Sequence, residues 1–367
     1  MPLFIKNNIL LIPGIILFLS RVLFFSCTGE KPDNAPAPPV GGYYVYMGHI
    51  HNHTTVSGAQ GTPEEAYAYA RDIAGMDFLG ITDHAEEISS REWADLNAAA
   101  ELFNEDNSFI ALRGFEWSST SNYGHVSIIE TADFVRSDDT AADTFNELCA
   151  WLSGTNGIAF FNHPGREDDN STEFSHFTTA PVINFAGMEL WNRNDGFSIY
   201  YYNDGYVSGD GGMGFYDEAL QHGWHIGASG SGDDHRAAWG TAQKFRLAVL
   251  AHAKTRDDIL AAFRANRFYS TLDRNLAMSF KINGSEMGST VSAGTYTLEI
   301  NLDDGSTDDI FTGIDLLRNG IVLNSWSPGE KQVSITQEIT VSAGEYYYVR
   351  VRQDDGDEAV SSPAWVE

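Results

Sequence analysis

Seven of the eleven histidines in this 367-residue chain sit in short motifs, beside carboxylates or at the ends of apolar runs. They are His49, His51 and His53 in the stretch Gly48 to Thr54, His84 closing Ile81-Thr82-Asp83-His84, His125 after Gly124, His163 in Asn162-His163-Pro164, and His235 closing Asp233-Asp234-His235. Glu116 emerges from the apolar context Leu112 to Trp117, where an unpaired charge would be costly and a ligand carboxylate is satisfied. Imidazole and carboxylate together suit borderline divalent cations, and zinc, manganese and iron fit equally well. In extended chain, residues two apart share a face, so His51 and His53 can converge on one ion. One His-x-His alone reads equally well as a polar strand end; its recurrence beside other ligand types favours metal. Asp233 and His235 are candidates for proton transfer. Arg166 and Arg236 lie within three residues of a ligand motif and are candidates for orienting an anion, with surface salt bridges an equal alternative. Glu189 is a secondary candidate for contact with the site, while His176, His222, His225 and His252 read as surface or capping groups.

These motifs need elements that bring them together. Phe78 to Ile81, Phe109 to Leu112, Val126 to Ile129, Ile158 to Phe161 and Gly187 to Leu190 read as buried strands. Helical stretches lie between them, such as Pro63 to Ala74, where Thr62 can cap, Pro63 suits the first position and Glu64-Glu65 favours the positive end. Strands alternating with helices predict a parallel sheet closed into a barrel, with the metal-seeking residues just after the strands. The glycine-serine run 227–232 is expected to allow close backbone approach to a ligand. From residue 276 the pattern turns to period two with Gly, Asp and Asn turns, which predicts a β-sandwich. The segments Val291 to Ile300 and Val341 to Arg350 echo each other as strand entries. The acidic loops Asp303-Asp304 with Asp308-Asp309, and Asp354-Asp355 with Asp357, read as solvated turns in preference to calcium sites.

Order and spacing of the five motifs over residues 43 to 275 resemble the PHP (polymerase and histidinol phosphatase) superfamily of metal-dependent phosphoesterases. The resemblance implies an α/β fold, a distorted seven-stranded β/α barrel over 42–275, followed by a C-terminal all-β immunoglobulin-like sandwich over 276–367. It also implies two or three divalent metal ions. His51, His53, Glu116 and Asp233 would surround a first, Glu116, His125 and His163 a second, and His84 with His235 a third. The stretch Gly61 to Ala66 resembles the carbaryl-hydrolase-like branch. Two positions depart from the pattern: His49 stands where Asp is usual, and Ser57-Gly58 replaces a ligand, which weakens the expected third site. The implied activity is hydrolysis of a small-molecule phosphoester. The alternatives are a carboxylic or carbamic ester hydrolase using the same centre, or a non-catalytic surface protein that binds metal or glycan.

The formal charge of −29 and the lack of a Lys/Arg cluster argue against binding a nucleic-acid scaffold through the surface as a whole. Residues 1–26 read as a lipoprotein-type signal peptide, with Lys6 ahead of an apolar run from Ile9 to Leu19 that Pro13 and Gly14 interrupt. Cys27 would then carry the lipid, and 27–41 would be a polar linker holding the folded part off a membrane, in the periplasm or at the cell surface. Cys149 is the one cysteine left after such processing, so no internal disulfide is expected.

Overall fold

The computed structural model describes residues 37–119, 123–166, 168, 172–192, 214–305 and 309–367. The expected signal peptide, Cys27, the linker up to residue 36 and all but the end of the 193–216 loop lie outside the described residues. Asp33–Glu367 forms one compact unit. Among the described residues no helix is long and apolar enough to cross a membrane.

Seven strands lie side by side in chain order: β1 (Tyr44–His49), β2 (Phe78–Ile81), β3 (Ile110–Ser118), β4 (His125–Ile129), β5 (Ile158–Asn162), β6 (Phe185–Asn192) and β7 (Gly227–Ser231). The β1–β2, β2–β3, β5–β6 and β6–β7 pairs are parallel. The expected parallel run breaks at β3–β4 and β4–β5, which are antiparallel. Only residues 119–124 separate β3 from β4, too few for the crossover that a parallel pair needs. Two more strands, β8 (Arg246–Ala251) and β9 (Phe268–Thr271), add antiparallel on the far side of β1. The sheet curls into a half-barrel whose first and seventh strands meet where they run out. There Asn52 bridges Asp234, Asp233 N donates to His51 O at 2.9 Å, and His53 N donates to Asp234 O at 3.1 Å.

The helices start where their sequences say they should. Thr62 opens α1 (Pro63–Asp72), Ser89 opens α2 (Ser90–Phe103) and Thr144 opens α3 (Phe145–Ser153), each with a reciprocal glutamate three residues on. Helices α4 (Phe215–Gln221) and α5 (Arg256–Arg264) complete the described set. Ile259, Ala262 and Phe263 of α5 pack with Phe78, Ile110, Leu112, Ile158 and Phe160 in one buried cluster. Burial of each such large side chain contributes about 1.5–3 kcal/mol.

That cluster decides where polar side chains can stand. On β3 the residues alternating with the outer face run Ile110, Leu112, Gly114, Glu116, Ser118. On antiparallel β4 the same register reads Ile129, Ser127, His125, and on β5 it reads Ile158, Phe160, Asn162. One face of three adjacent strands therefore grades from apolar, against α5, to polar at the other end. The glycines of β7 serve a different purpose from the one expected. A Cβ on Gly227 would lie 2.0 Å from Ser362 Oγ, and one on Gly230 would lie 2.6 Å from Ser270 Oγ, so they admit neighbouring protein rather than a ligand.

Past residue 275 a second, antiparallel sheet forms from β10 (Leu276–Ile282), β11 (Ser285–Glu286), β13 (Gly294–Asp304) and β16 (Gln332–Val341). The remaining strands, β12 (Thr290–Val291), β14 (Phe311–Arg318), β15 (Ile321–Trp326), β17 (Tyr346–Gln353), β18 (Glu358–Ser361) and β19 (Ala364–Val366), continue the first sheet, because β18 pairs with β9. Leu298, Ile300 and Leu302 of β13 share a core with Val349 and Val351 of β17 and with Met47 and Leu250 of the curled part. The change of sequence texture at 276 thus marks the start of a second sheet, packed against strands that continue the first.

Candidate metal centre

The polar end of the graded face is where six chain segments deliver imidazoles and carboxylates. His51 and His53 follow β1, His84 follows β2, Glu116 is on β3, His125 opens β4, His163 follows β5, and Asp233 with His235 follows β7. His163 and Asp233 stand at φ +27° and +48°, left-handed backbone just past the strand each follows. Asp233 is tied there by its amide bond to His51 O. Asp234 accepts from the amides of Arg236 and Ala238 at 2.9 and 3.0 Å and so shapes the turn that presents His235.

Glu116 is the hub, and its two oxygens serve different partners. Oε1 lies 3.1 Å from His51 Nε2, 3.3 Å from His125 Nδ1 and 3.5 Å from His163 Nε2. Oε2 lies 2.9 Å from His84 Nδ1 and 3.5 Å from His53 Nε2. Asp233 Oδ1 completes the other side, 3.4 Å from His51 Nε2, 3.2 Å from His53 Nε2 and 3.5 Å from His235 Nδ1. Three ligand sets result: His51, His53 and Asp233; His51, Glu116 and His163; and His53, His84 and His235. His51 and His53 each belong to two sets. All eight residues that the sequence put forward as ligands therefore meet in one cluster.

The electrostatics fit a cation. Burial pushes His53 and His163 down to about 3, so both are neutral and able to ligate at neutral pH. At His51 burial works against protonation, but Glu116, Asp233 and Glu189 outweigh it and raise the ring well above its ordinary value. Burial opposes the His84 proton too, and Glu116 again prevails, raising it to about 9. Burial would raise both carboxylates, yet the His51, His125 and His84 imidazoles hold Glu116 well below its ordinary range, and His51 with His53 does the same for Asp233. The cluster thus demands positive charge between its carboxylates, and divalent cations would satisfy that demand with the nitrogen and oxygen donors present.

Around the candidate ligands stands a second layer, of which the sequence singled out Glu189 as a candidate for contact with the site but not Asn162 or Asn192. Glu189, on β6, accepts from His51 Nδ1 at 2.9 Å and from the His163 amide at 2.7 Å, while Asn192 Nδ2 donates to it at 2.7 Å. Asn162 Nδ2 donates to Glu116 Oε1 at 2.7 Å. Such outer partners fix which imidazole nitrogen faces the metal. Asp83, beside a predicted ligand, accepts from the Thr54 amide and hydroxyl and from Ser57 Oγ at 2.7, 2.7 and 2.6 Å, and it braces the loop after β1. Ser57 has its Oγ 3.3 Å from His53 Nδ1 and so braces that candidate ligand. His49 stays outside the cluster, its Nε2 2.8 Å from Phe245 O. Arg166 reaches the rim, with Nη1 3.4 Å from Asp233 Oδ2, and Arg236 is exposed.

No family model matches the chain. Uncharacterized proteins of Chlamydia pneumoniae and Chlamydia muridarum are 22% and 23% identical over 88% of it. The chain spans 57% and 58% of the length of these curated relatives. Among solved structures, a Bacteroides vulgatus two-domain protein containing a predicted PHP-like metal-dependent phosphoesterase superposes with a TM-score of 0.50 at 14% identity, over 88% of this chain and 94% of that one. A putative metal-dependent phosphoesterase of Bifidobacterium adolescentis gives 0.33 at 13% identity, over 52% of this chain and 88% of that one. The chain therefore shares the fold of a two-domain PHP-like protein, and at the strand ends of that fold it carries a buried histidine–carboxylate cluster suited to divalent metal.

Proposed function

We propose that this protein is a metal-dependent phosphoesterase that hydrolyses a small phosphomonoester or phosphodiester outside the cytoplasm, tethered by a lipid on Cys27. The observation that carries the catalytic part is the division of Glu116 between two groups of imidazoles, His51, His125 and His163 on Oε1 and His53 and His84 on Oε2. His51, His53, Glu116 and Asp233 would hold one cation, and Glu116, His125 and His163 a second. His84 and His235 would hold a third, weaker one, since Ser57 supplies no ligand there. Cations bound at these residues supply Lewis-acid stabilisation of a phosphoryl oxygen and a nucleophile made from water.

The chain's own residues divide the remaining work. Arg166, half-buried at the rim against Asp233, is placed to orient an anionic substrate. Arg236 adds a second positive charge at the mouth. His235, whose side chain is 31% exposed and whose ring stacks on His53 at 4.1 Å, connects the buried cluster with solvent and can carry a proton outward through its ring nitrogens. Complete burial of His51 and His53 keeps bulk water out of the centre.

Gly61 to Ala66 is accounted for by helix initiation, since Thr62 and Glu65 form the capping box of α1. A carboxylic or carbamic ester hydrolase would use the same centre, so substrate comparison separates the two. Purified protein should contain zinc, manganese or iron and should turn over an aryl phosphate or bis-aryl phosphate in a chelator-sensitive way, faster than the matching aryl ester. Failure of metal-replete protein on a broad phosphoester panel removes the assignment. Lipidation has its own readout: Cys27→Ala should move the protein from the membrane fraction to the soluble one.

A further inference from the structure

Strand β6 is irregular where it passes the histidine cluster. Its ladder with β7 pairs Glu189 with Ser229 and then Trp191 with Gly230, so Leu190 is an extra residue. In a regular strand, residues three apart point to opposite faces, and one extra residue between them brings both to the same face. Glu189 and Asn192 meet for that reason, and Asn192 Nδ2 donates to Glu189 Oε2 at 2.7 Å. Glu189 is only 1% exposed.

Two further donors converge on this carboxylate, and they belong to two different candidate ligands. Oε1 accepts from His51 Nδ1 at 2.9 Å, and Oε2 accepts from the His163 amide at 2.7 Å. A His51 ring held this way carries a proton on Nδ1 and ligates through the lone pair of Nε2. That nitrogen lies 3.1 Å from Glu116 Oε1 and 3.4 Å from Asp233 Oδ1, so Glu189 stands behind the ring and not among the ligands. Ser231 on β7, paired with Asn192, secures the backbone as well, since its Oγ accepts from the His51 amide at 2.8 Å. His53 is backed differently. Its Nδ1 faces the neutral Ser57 hydroxyl at 3.3 Å, and that hydroxyl donates its own proton to Asp83 at 2.6 Å.

We propose that Glu189 is a positioning residue of the metal centre, which holds the His51 ring and the His163 backbone in register so that their set with Glu116 is preformed for a cation. Glutamine cannot replace it. Where three donors converge on two oxygens, glutamine offers one oxygen and one further donor, so either His51 Nδ1 or the pair of His163 N and Asn192 loses its acceptor. Aspartate keeps both oxygens but is one methylene too short to serve His51 and His163 together. A carboxylate behind an imidazole also makes the ring a stronger donor, and removing such a partner weakens metal binding about 10- to 100-fold. The inference rests on the histidine cluster holding metal and is independent of the phosphoester assigned as substrate.

The test is metal binding by the full chain, stripped with chelator and reloaded in zinc buffers, with cobalt as the spectroscopic probe. Glu189→Gln should keep the parent's circular dichroism and bind its tightest zinc about 10- to 100-fold more weakly. At saturating cobalt its visible d–d bands should differ from the parent's, a change that a residue holding only the fold would not produce. Zinc affinity and cobalt bands equal to those of the parent overturn the proposal. Should Glu189→Gln lose its native circular dichroism, Glu189→Asp is read by the same measurements. Weaker zinc with a native spectrum then supports the proposal, while parent-like zinc binding, or unfolding of this variant too, overturns it. A parent that binds no zinc removes the metal reading and this inference with it, whereas a zinc-replete parent without phosphoester turnover loses its assigned substrate and leaves the role of Glu189 standing.

Discussion

Glu116 and Asp315 are both buried carboxylates on strands of the same sheet, and they are neutralised in different ways. Asp315, on β14, accepts from Arg352 Nη1 at 2.6 Å, Arg350 Nη2 at 2.9 Å and Ser325 Oγ at 2.7 Å. Burial opposes its charge, but those hydrogen bonds hold it well below its ordinary value. Its positive partners are permanent and belong to the chain. Glu116 is ringed by five imidazoles, none of which carries a fixed charge. A carboxylate with built-in cations is structural; one whose positive partner must be recruited, as a proton or a metal, is available for chemistry.

That contrast breaks first at Glu116. Glu116→Gln keeps the shape and can still accept from Asn162, but it removes the charge that two groups of imidazoles share. Turnover should fall on the order of 10³-fold, and metal content should fall with it, while circular dichroism stays native. If metal content and turnover both survive, Glu116 belongs with Asp315 and the contrast is false. Asp315→Asn should do the opposite. It leaves two arginines without their anion and should cost about 2 kcal/mol in denaturant unfolding, with turnover per folded molecule unchanged. The folded pKa of Asp315 is depressed, so its contribution is present above the ordinary carboxylate value of 3.8 and is lost as pH falls below it. The stability gap between parent and variant should therefore narrow in acid.

How much of this was legible in the sequence follows the same division. The eight candidate ligands could be picked out because histidine and acid beside an apolar run have few other uses, and strand ends are where such residues converge. Thr62 could be read as a cap, and Ser89 with Glu92 and Thr144 with Glu147 carry the same signal at equal strength. Glu189, Asn162 and Asp83 could not be assigned in advance, because whether a buried carboxylate or amide ligates, orients a ligand or braces a loop depends on which partner lies within 3 Å across the fold. The antiparallel β4 was hidden for a related reason. A short apolar run gives its burial but not its direction, and the clue lay in the six residues before it. The continuity of the sheet through β9 and β18 rests on pairing between residues some ninety positions apart, to which period-two alternation is blind.

A smaller effect sharpens the contrast with a third carboxylate, neutralised by neither arginine nor imidazole. Asp217, on α4, accepts from Tyr346 Oη at 3.2 Å and Tyr348 Oη at 3.1 Å on β17, which couples the curled part to the strands beyond residue 276. Burial raises its pKa from 3.8 to about 6, and the two tyrosine hydrogen bonds only partly offset that shift. The folded state therefore holds this proton more tightly than the unfolded chain does. Its stabilising contribution is complete below pH 3.8 and is lost as pH rises through about 6. Asp217→Asn keeps an acceptor for the tyrosines and removes the titration. Relative to the parent it should gain about 1–2 kcal/mol as pH goes from 4 to 7, read as the difference between two urea-unfolding series. A difference that stays flat across that range would mean that Asp217 ionises in the fold as easily as in water, and that the contact between α4 and β17 is held by packing alone.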